Sequence, residues 1–366
     1  MFARSKRVAL YATGLTLCGG GLLAMCWRPV GPPSNQAEQP LSNPDGFDAT
    51  RAFADLEHLV AFGPRPAGSQ NLDRARQWII DQLGQAGVTA QEDSFVAPTP
   101  LGPIPMTNIV GKIPGASPSI VIVGGHYDTK RTATPFVGAN DGGSSAAFLL
   151  EMARVLAHRR NKLTYSVVFF DGEEAVQRWS ATDSLYGSRH LAAKVAANGA
   201  QTQVKAMILV DMVADAALDI QRDTNSTRWL QDLVFNQAHR LGYGRYFSDG
   251  SKTIEDDHIP FVEIGIPAVD IIDLDYGPLN LYWHTRYDTV PRCSSASLNT
   301  VGHVVLATLA AVEASTHNST IPVKRRCNDS KYGIGYHGER PGYDPEGRLR
   351  APRVEAGGPG EALPPP

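Results

Sequence analysis

Apolar positions recur along the chain in two rhythms. From Asp48, residues Phe53, Leu56, Leu59 and Val60 return at helical spacing, the stripe of a helix lying on a core. Leu72, Ala75, Ile79, Leu83 and Ala86 make one face of a second helix, with Ser69 placed to cap it and Gly87 to stop it. Residues 88–96 alternate apolar and polar side chains, as a half-buried strand does, and 107–113 and 119–124 read as two more strands. Residues 142–156 are apolar nearly all round, which predicts a buried helix. The β-branched and aromatic run Ser166-Val167-Val168-Phe169-Phe170 predicts a buried strand. The same reading predicts a helix over 184–197, a strand over 204–210 that ends in Asp211, and a helix over 227–241 closed by Gly242. A long loop over 243–260, a buried strand over 266–272 and a last helix over 294–312 complete it.

Helices and buried strands alternate, which argues one α/β domain over 48–315. The expected architecture is three layers, with a central, mostly parallel mixed sheet flanked by helices. The strands at 88–96 and 107–113 lie close in sequence and are expected to add an antiparallel edge. Residues 27–47, rich in Pro, Asn, Ser and Gly, read as a flexible linker, and 316–366 as a mostly disordered tail.

The net charge near −3, without a basic stripe, excludes nucleic acid as the natural partner. Arg4, Lys6 and Arg7 precede an apolar stretch from Val8 to Cys26, the order of an export signal. Residues 1–26 are therefore expected to be a signal peptide or an uncleaved anchor, and the membrane contact of the chain is confined to them. The protein is expected outside the cytoplasm, periplasmic or secreted. Leu17 and Met25, which precede Cys18 and Cys26, are not the small residues that lipid attachment prefers. Beyond that segment only Cys293 and Cys327 remain, either as a disulfide that pins the tail or as two free thiols.

Five polar clusters stand where predicted strands run out. They are His126-Tyr127-Asp128, Asn140-Asp141-Gly142-Gly143, Asp171-Gly172-Glu173-Glu174, Asp211 and Trp283-His284. In open α/β sheets ligands bind outside that edge. Singly, each cluster is an ordinary polar turn. In order along one α/β pattern, they offer carboxylates and imidazoles, a donor set that suits zinc with a position left open for substrate. Neighbouring Glu173 and Glu174 point in different directions, so one can hold a metal while the other serves the substrate.

The sequence resembles the zinc aminopeptidase superfamily of zinc exopeptidases and, within it, the glutaminyl-peptide cyclotransferases. The residues that carry the likeness are Gly125 to Asp128, Gly138 to Gly142, Phe170 to Glu174, Trp179-Ser180, Asp183 to Leu191, Asp256 to Phe261 and Trp283 to Thr285. The resemblance implies a zinc-exopeptidase-like fold. It implies one zinc held by Asp141, Glu174 and His284, with Glu173 as general acid/base beside Asp211 and Asp256. Trp179 and Trp283 would line the substrate pocket. In the aminopeptidase branch His126 and Asp211 would hold a second zinc, bridged by Asp141. The chain departs from the animal cyclases where they carry a pocket histidine, since it has Asp270 there. The loop over 273–282 is also longer. Substrates would be peptides or proteins with an N-terminal glutamine, closed to pyroglutamate with loss of ammonia. The enzyme alternative is a di-zinc aminopeptidase, and the non-enzyme alternative a receptor-like domain that has lost catalysis. Among the remaining histidines, His158, His239 and His303 are expected on the surface and His258 as a brace for the Asp256 loop.

Overall fold

The computed structural model describes residues 46–317. The predicted signal or anchor, nearly all of the linker, the tail and Cys327 lie outside the described residues. Phe47, read as linker, is buried in the core against Phe148, with ring centroids 5.2 Å apart. The two opening helices are α1 (Ala49–Ala61) and α2 (Gln70–Gln85). Asp48 caps the first by accepting from the amides of Thr50 and Arg51, and Ser69 caps the second by accepting from Leu72.

Six strands form the central sheet: β1 (Ala90–Thr99), β2 (Gly102–Ile113), β3 (Ile120–His126), β4 (Thr164–Phe170), β5 (Val204–Asp211) and β8 (Ala268–Ile272). Their order is β1-β2-β4-β3-β5-β8. The last four run parallel, and β1 and β2 add the expected antiparallel edge. Helices α3 (Gly143–Ala157), α4 (Tyr186–Ala197) and α5 (Arg228–Arg240) carry the crossovers. The long α7 (Ser295–His317) closes the fold. Side chains alternate faces along each strand. Val121, Val123, Val167, Phe169, Ile208 and Val210 pack into one core with α1, α3, α5 and α7. Ile122, Val168, Phe170, Met207 and Leu209 pack into a second core with α4 and the short α6 (Ile259–Glu263). The stretch Ser295–Ser315 has the length and composition to cross a membrane, yet 72% of its most apolar window is buried in the protein. It is a core helix.

Two expectations need correction. The span 243–260 is not one loop: it holds β7 (Phe247–Lys252), which pairs in parallel with an unforeseen β6 (Ile220–Asp223). Both strands are short and β7 is mostly polar, so neither shows the alternation that marks a strand. His303 is buried, with Nδ1 2.7 Å from the Tyr243 hydroxyl, because it packs on Tyr243 in the turn after α5 rather than facing solvent.

Candidate active site and metal centre

Strand order fixes where the chemistry gathers. The chain leaves β3 toward β4 on one side and leaves β5 toward β8 on the other, so a crevice opens between the ends of β3 and β5. His126 ends β3, Asp211 ends β5 and the Asp171 to Glu174 turn follows β4. Gly142, at φ 80°, turns the chain into α3 and leaves Asp141 at the crevice; a Cβ on Gly142 would stand 2.2 Å from the Asp128 carbonyl oxygen, so only glycine fits.

A cavity of about 630 Å³ opens there. It is lined by Asp141, Glu173, Glu174, Asp211, Asp256, Trp179, Trp283 and His284, all named from the sequence, and by Lys130 and Leu274, which were not. Two groups of three donors, each within 4.8 Å of one another, occur among the described residues: Asp141, Glu174 and His284, and His126, Asp141 and Asp211. In the first, His284 Nε2 lies 3.2 Å from Asp141 Oδ2 and 3.1 Å from Glu174 Oε1. Both oxygens are buried and meet no donor other than that imidazole nitrogen. Unsatisfied buried carboxylate oxygens around an imidazole nitrogen are costly unless a cation takes them. This donor set fits a zinc-type ion. In the second group, Asp211 Oδ1 already accepts from Ser145 Oγ at 3.2 Å and from the Met212 amide at 2.7 Å, and His126 Nε2 stands 3.1 Å from it.

His284 has φ 55°, a left-handed backbone that a non-glycine residue seldom adopts. Its ring stacks on Trp283 at 4.1 Å, which fixes the imidazole plane. Burial opposes its charged form, but hydrogen bonds and charge from Asp141 and Glu174 raise its pKa to about 9.

Glu173 is buried, and burial raises its carboxyl well above the ordinary range; Glu174, Asp256 and Asp257 add to this and His126 opposes it. Burial likewise raises Asp256, helped by Asp211 and Asp257, and takes Asp257 to about 7. A buried carboxyl whose affinity for a proton is raised, beside candidate metal ligands, is suited to proton transfer.

Asp270 does not line the cavity. It is fully buried on β8 and points to the α6 side, where its Oδ2 lies 3.9 Å from His258 Nδ1. Period-two alternation puts it on the same sheet face as Ala268, beneath the floor rather than in the wall. His258, in turn, sits 3.0 Å from Asp223 Oδ2 and braces β6. Trp179 flanks the mouth, and its Nε1 donates to Glu255 at 3.2 Å.

Four supporting residues had no role in the sequence reading. Asp128 accepts from the amides of Glu173 and Glu174, at 3.2 and 3.4 Å, and lies 3.4 Å from His126 Nδ1. Its place in the His126-Tyr127-Asp128 cluster was the available signal. Asp128→Asn is expected to weaken zinc binding or turnover by about 10–100-fold, as loss of an orienting partner does, and unchanged values of both would remove Asp128 from this role. Lys130 Nζ lies 3.0 Å from Glu174 Oε2. Asp288 accepts from the amides of Asn140 and Asp141, at 2.8 and 3.1 Å, and burial raises it to about 7. No local motif marks it.

Arg65 is wholly buried, and its guanidinium donates to the carbonyls of Leu59, Gly63, Tyr127, Val137 and Gly138. It ties α1 to the loop that carries Asp141, and its proline neighbours Pro64 and Pro66 were the only hint. Arg65→Met leaves those carbonyls buried without a donor. It is expected to cost about 3–5 kcal/mol, read as a lower denaturation midpoint with unchanged slope.

Residues 108–309 match the peptidase family M28. A mouse glutaminyl-peptide cyclotransferase-like protein is 31% identical over 277 residues, which cover 67% of this chain and 71% of that one. The crystal structure of an Acidobacteriales bacterium glutaminyl cyclase superposes with a TM-score of 0.72 at 38% identity, over 76% of this chain and 99% of that one. A Zn-dependent exopeptidase from Parabacteroides distasonis superposes with a TM-score of 0.65 at 26% identity, over 73% and 99%. With its metal-type donors and its carboxylates at one crevice of this sheet, the chain belongs to peptidase family M28, among the glutaminyl cyclases.

Proposed function

We propose that the protein is an exported, zinc-dependent glutaminyl cyclase that closes the N-terminal glutamine of peptides to pyroglutamate and releases ammonia. The observation that carries this reading is the contrast between the two donor groups. Asp141 Oδ2 and Glu174 Oε1 face His284 with no other partner, while Asp211 Oδ1 is taken by Ser145 and Met212. That contrast favours one zinc, on Asp141, Glu174 and His284, and leaves Asp211 free to serve Glu173 and Asp256.

Asp141, Glu174 and His284 would hold the zinc, which would supply Lewis acidity to the side-chain amide carbonyl. Glu173 then takes a proton from the α-amine as its nitrogen bonds to the amide carbon. The same carboxyl returns the proton to the departing nitrogen as the carbon–nitrogen bond breaks, so ammonia leaves and charge balances. Glu174, Asp256 and Asp257 crowd negative charge near Glu173 and raise its affinity for that proton, and Asp211 acts in the same way on Asp256. Trp179 and Trp283 wall the cavity and exclude water, which favours ring closure over hydrolysis.

The test is ammonia release from a short peptide that begins with glutamine, with the product weighed by mass spectrometry. Loss of one ammonia, abolished by a zinc chelator and restored by zinc, is expected. A peptide shortened by one residue, with two tight zincs per chain, would move the protein to the aminopeptidases. No reaction and no bound metal would leave a binding domain.

A further inference from the structure

A second cavity, of about 660 Å³, opens at the far end of α3. That helix begins at Gly143, beside Asp141, and its 15 residues carry the chain about 22 Å away from the crevice, at about 1.5 Å per residue. The cavity is lined by Arg51 of α1, Gln85 of α2, Arg154 of α3, and His158 and Arg159 just past the end of α3. No carboxylate lines it. Arg160 and Lys162, both exposed, follow directly in the chain and extend the positive charge. Nothing in the cyclisation chemistry uses this end of the fold.

Two of these arginines are held from behind. Arg51 donates from Nε and Nη2 to Glu151, both at 2.7 Å, and its Nη1 meets no acceptor among the described residues. Arg154 donates from Nη1 to Asp55 and Glu151 and from Nη2 to Gln82. Glu151 and Asp55 are buried and line no part of the cavity, so they fix the guanidiniums without entering it. Arg159 has no ion pair among the described residues. The two buried carboxylates offset Arg51 and Arg154, and the excess charge comes from Arg159, with Arg160 and Lys162 beside it. Guanidiniums held rigid around one cavity suit a phosphate group, whose oxygens accept from such forks.

Position along the chain selects the source of that phosphate. Gly46, the first described residue, also lines the cavity. Residues 27–45, which join it to the apolar stretch from Val8 to Cys26, span at most about 70 Å at roughly 3.5 Å per residue. With that stretch in a bilayer, lipid headgroups stay within reach of the cavity. Basic residues next to an anchored segment gain affinity for an anionic membrane surface. Seated on such a surface by this end, the protein turns the crevice, at the other end of α3, toward solvent and its peptide substrates. We propose that this cavity takes the phosphate headgroup of an anionic phospholipid, a membrane contact beyond residues 1–26. The proposal needs those residues as an anchor and is independent of the cyclase reading.

For the test, the full chain is reconstituted in vesicles of phosphatidylcholine alone and of phosphatidylcholine mixed with phosphatidylglycerol. It is then treated with phenylglyoxal, and mass spectrometry of the digest reads the labelling rate of each arginine. Arg178, exposed and lining the catalytic cavity, is the internal control. Phosphatidylglycerol is expected to slow labelling of Arg51 and Arg159 about fivefold, the gain of one basic residue at an anionic surface, and to leave Arg178 unchanged. Arg159→Gln, which breaks no ion pair among the described residues, is expected to relieve the protection of Arg51. Unchanged protection of Arg51 in that variant overturns the shared site. Equal slowing at Arg178 overturns the proposal, because the effect is then the field of the whole membrane surface, and so does no slowing at any arginine. Equal protection by inorganic phosphate, added to the phosphatidylcholine vesicles, overturns it in favour of free phosphate. A chain that does not stay with phosphatidylcholine vesicles has no anchor and overturns it as well. Should Arg159→Gln not fold, the labelling pattern of the parent still decides.

Discussion

Glu173→Gln binds zinc like the parent and cyclises at least about 100-fold more slowly: that is the first expected result, on the scale that a positioned general base contributes. The substitution keeps the side chain's size and leaves its backbone amide on Asp128 Oδ1, at 3.2 Å. It removes only the capacity to take and return a proton. Glu173 is not in the donor group of Asp141, Glu174 and His284, so the metal stays. Two readings on one preparation check this, zinc content by elemental analysis and the initial rate of ammonia release. A normal rate at full zinc would falsify the proton-transfer role and shift attention to Asp256.

The second large effect runs the other way. His284→Ala is expected to lower zinc affinity by at least about 100-fold, more than loss of an outer-shell partner does, and turnover falls with occupancy. Without the imidazole, Asp141 Oδ2 and Glu174 Oε1 face each other with Lys130 as the nearest positive charge, 3.0 Å from Glu174 Oε2. In the metal-free parent, His284 is positively charged up to pH about 9 and offsets those two carboxylates. Zinc needs the neutral ring, so binding is expected to release a proton at neutral pH. Trp283→Ala is the control: it removes the ring stacked at 4.1 Å and keeps the nitrogen, so zinc should remain while the glutamine peptide binds more weakly. Full zinc retention in His284→Ala would remove this residue from the ligand set.

The two experiments bear on different claims. Glu173 tests what the cavity does once loaded, and His284 tests what loads it. If both behave as expected, the count of metals is the point that separates a cyclase from a di-zinc aminopeptidase in this fold. The saturated Asp211 Oδ1 predicts one.

Much of this protein was legible in the order of its residues. The 3.6-residue stripe of Leu72, Ala75, Ile79 and Leu83 and the apolar runs of β3, β4 and β5 report burial directly, because a core excludes polar side chains at a fixed period. Asp141, Glu173, Glu174, Asp211 and His284 were also readable. The first four sit at a strand end or a helix start, where α/β topology places functional groups, and His284 lies in the loop that follows β8. What the sequence left dark depends on partners far away in the chain. Asp288 holds the backbone of Asn140 and Asp141 from almost 150 residues on, and Arg65 satisfies carbonyls of two separate loops, at Gly63 and at Val137 and Gly138. No local spacing encodes such contacts. Asp270 was misplaced because a register on β8, not a motif, decides which sheet face its carboxylate takes. Periodicity and strand ends determined the fold and pointed to the groups proposed to react. Tertiary packing alone decided which carboxylate oxygens stay without a donor beyond His284, and so which group of side chains is proposed to hold the metal.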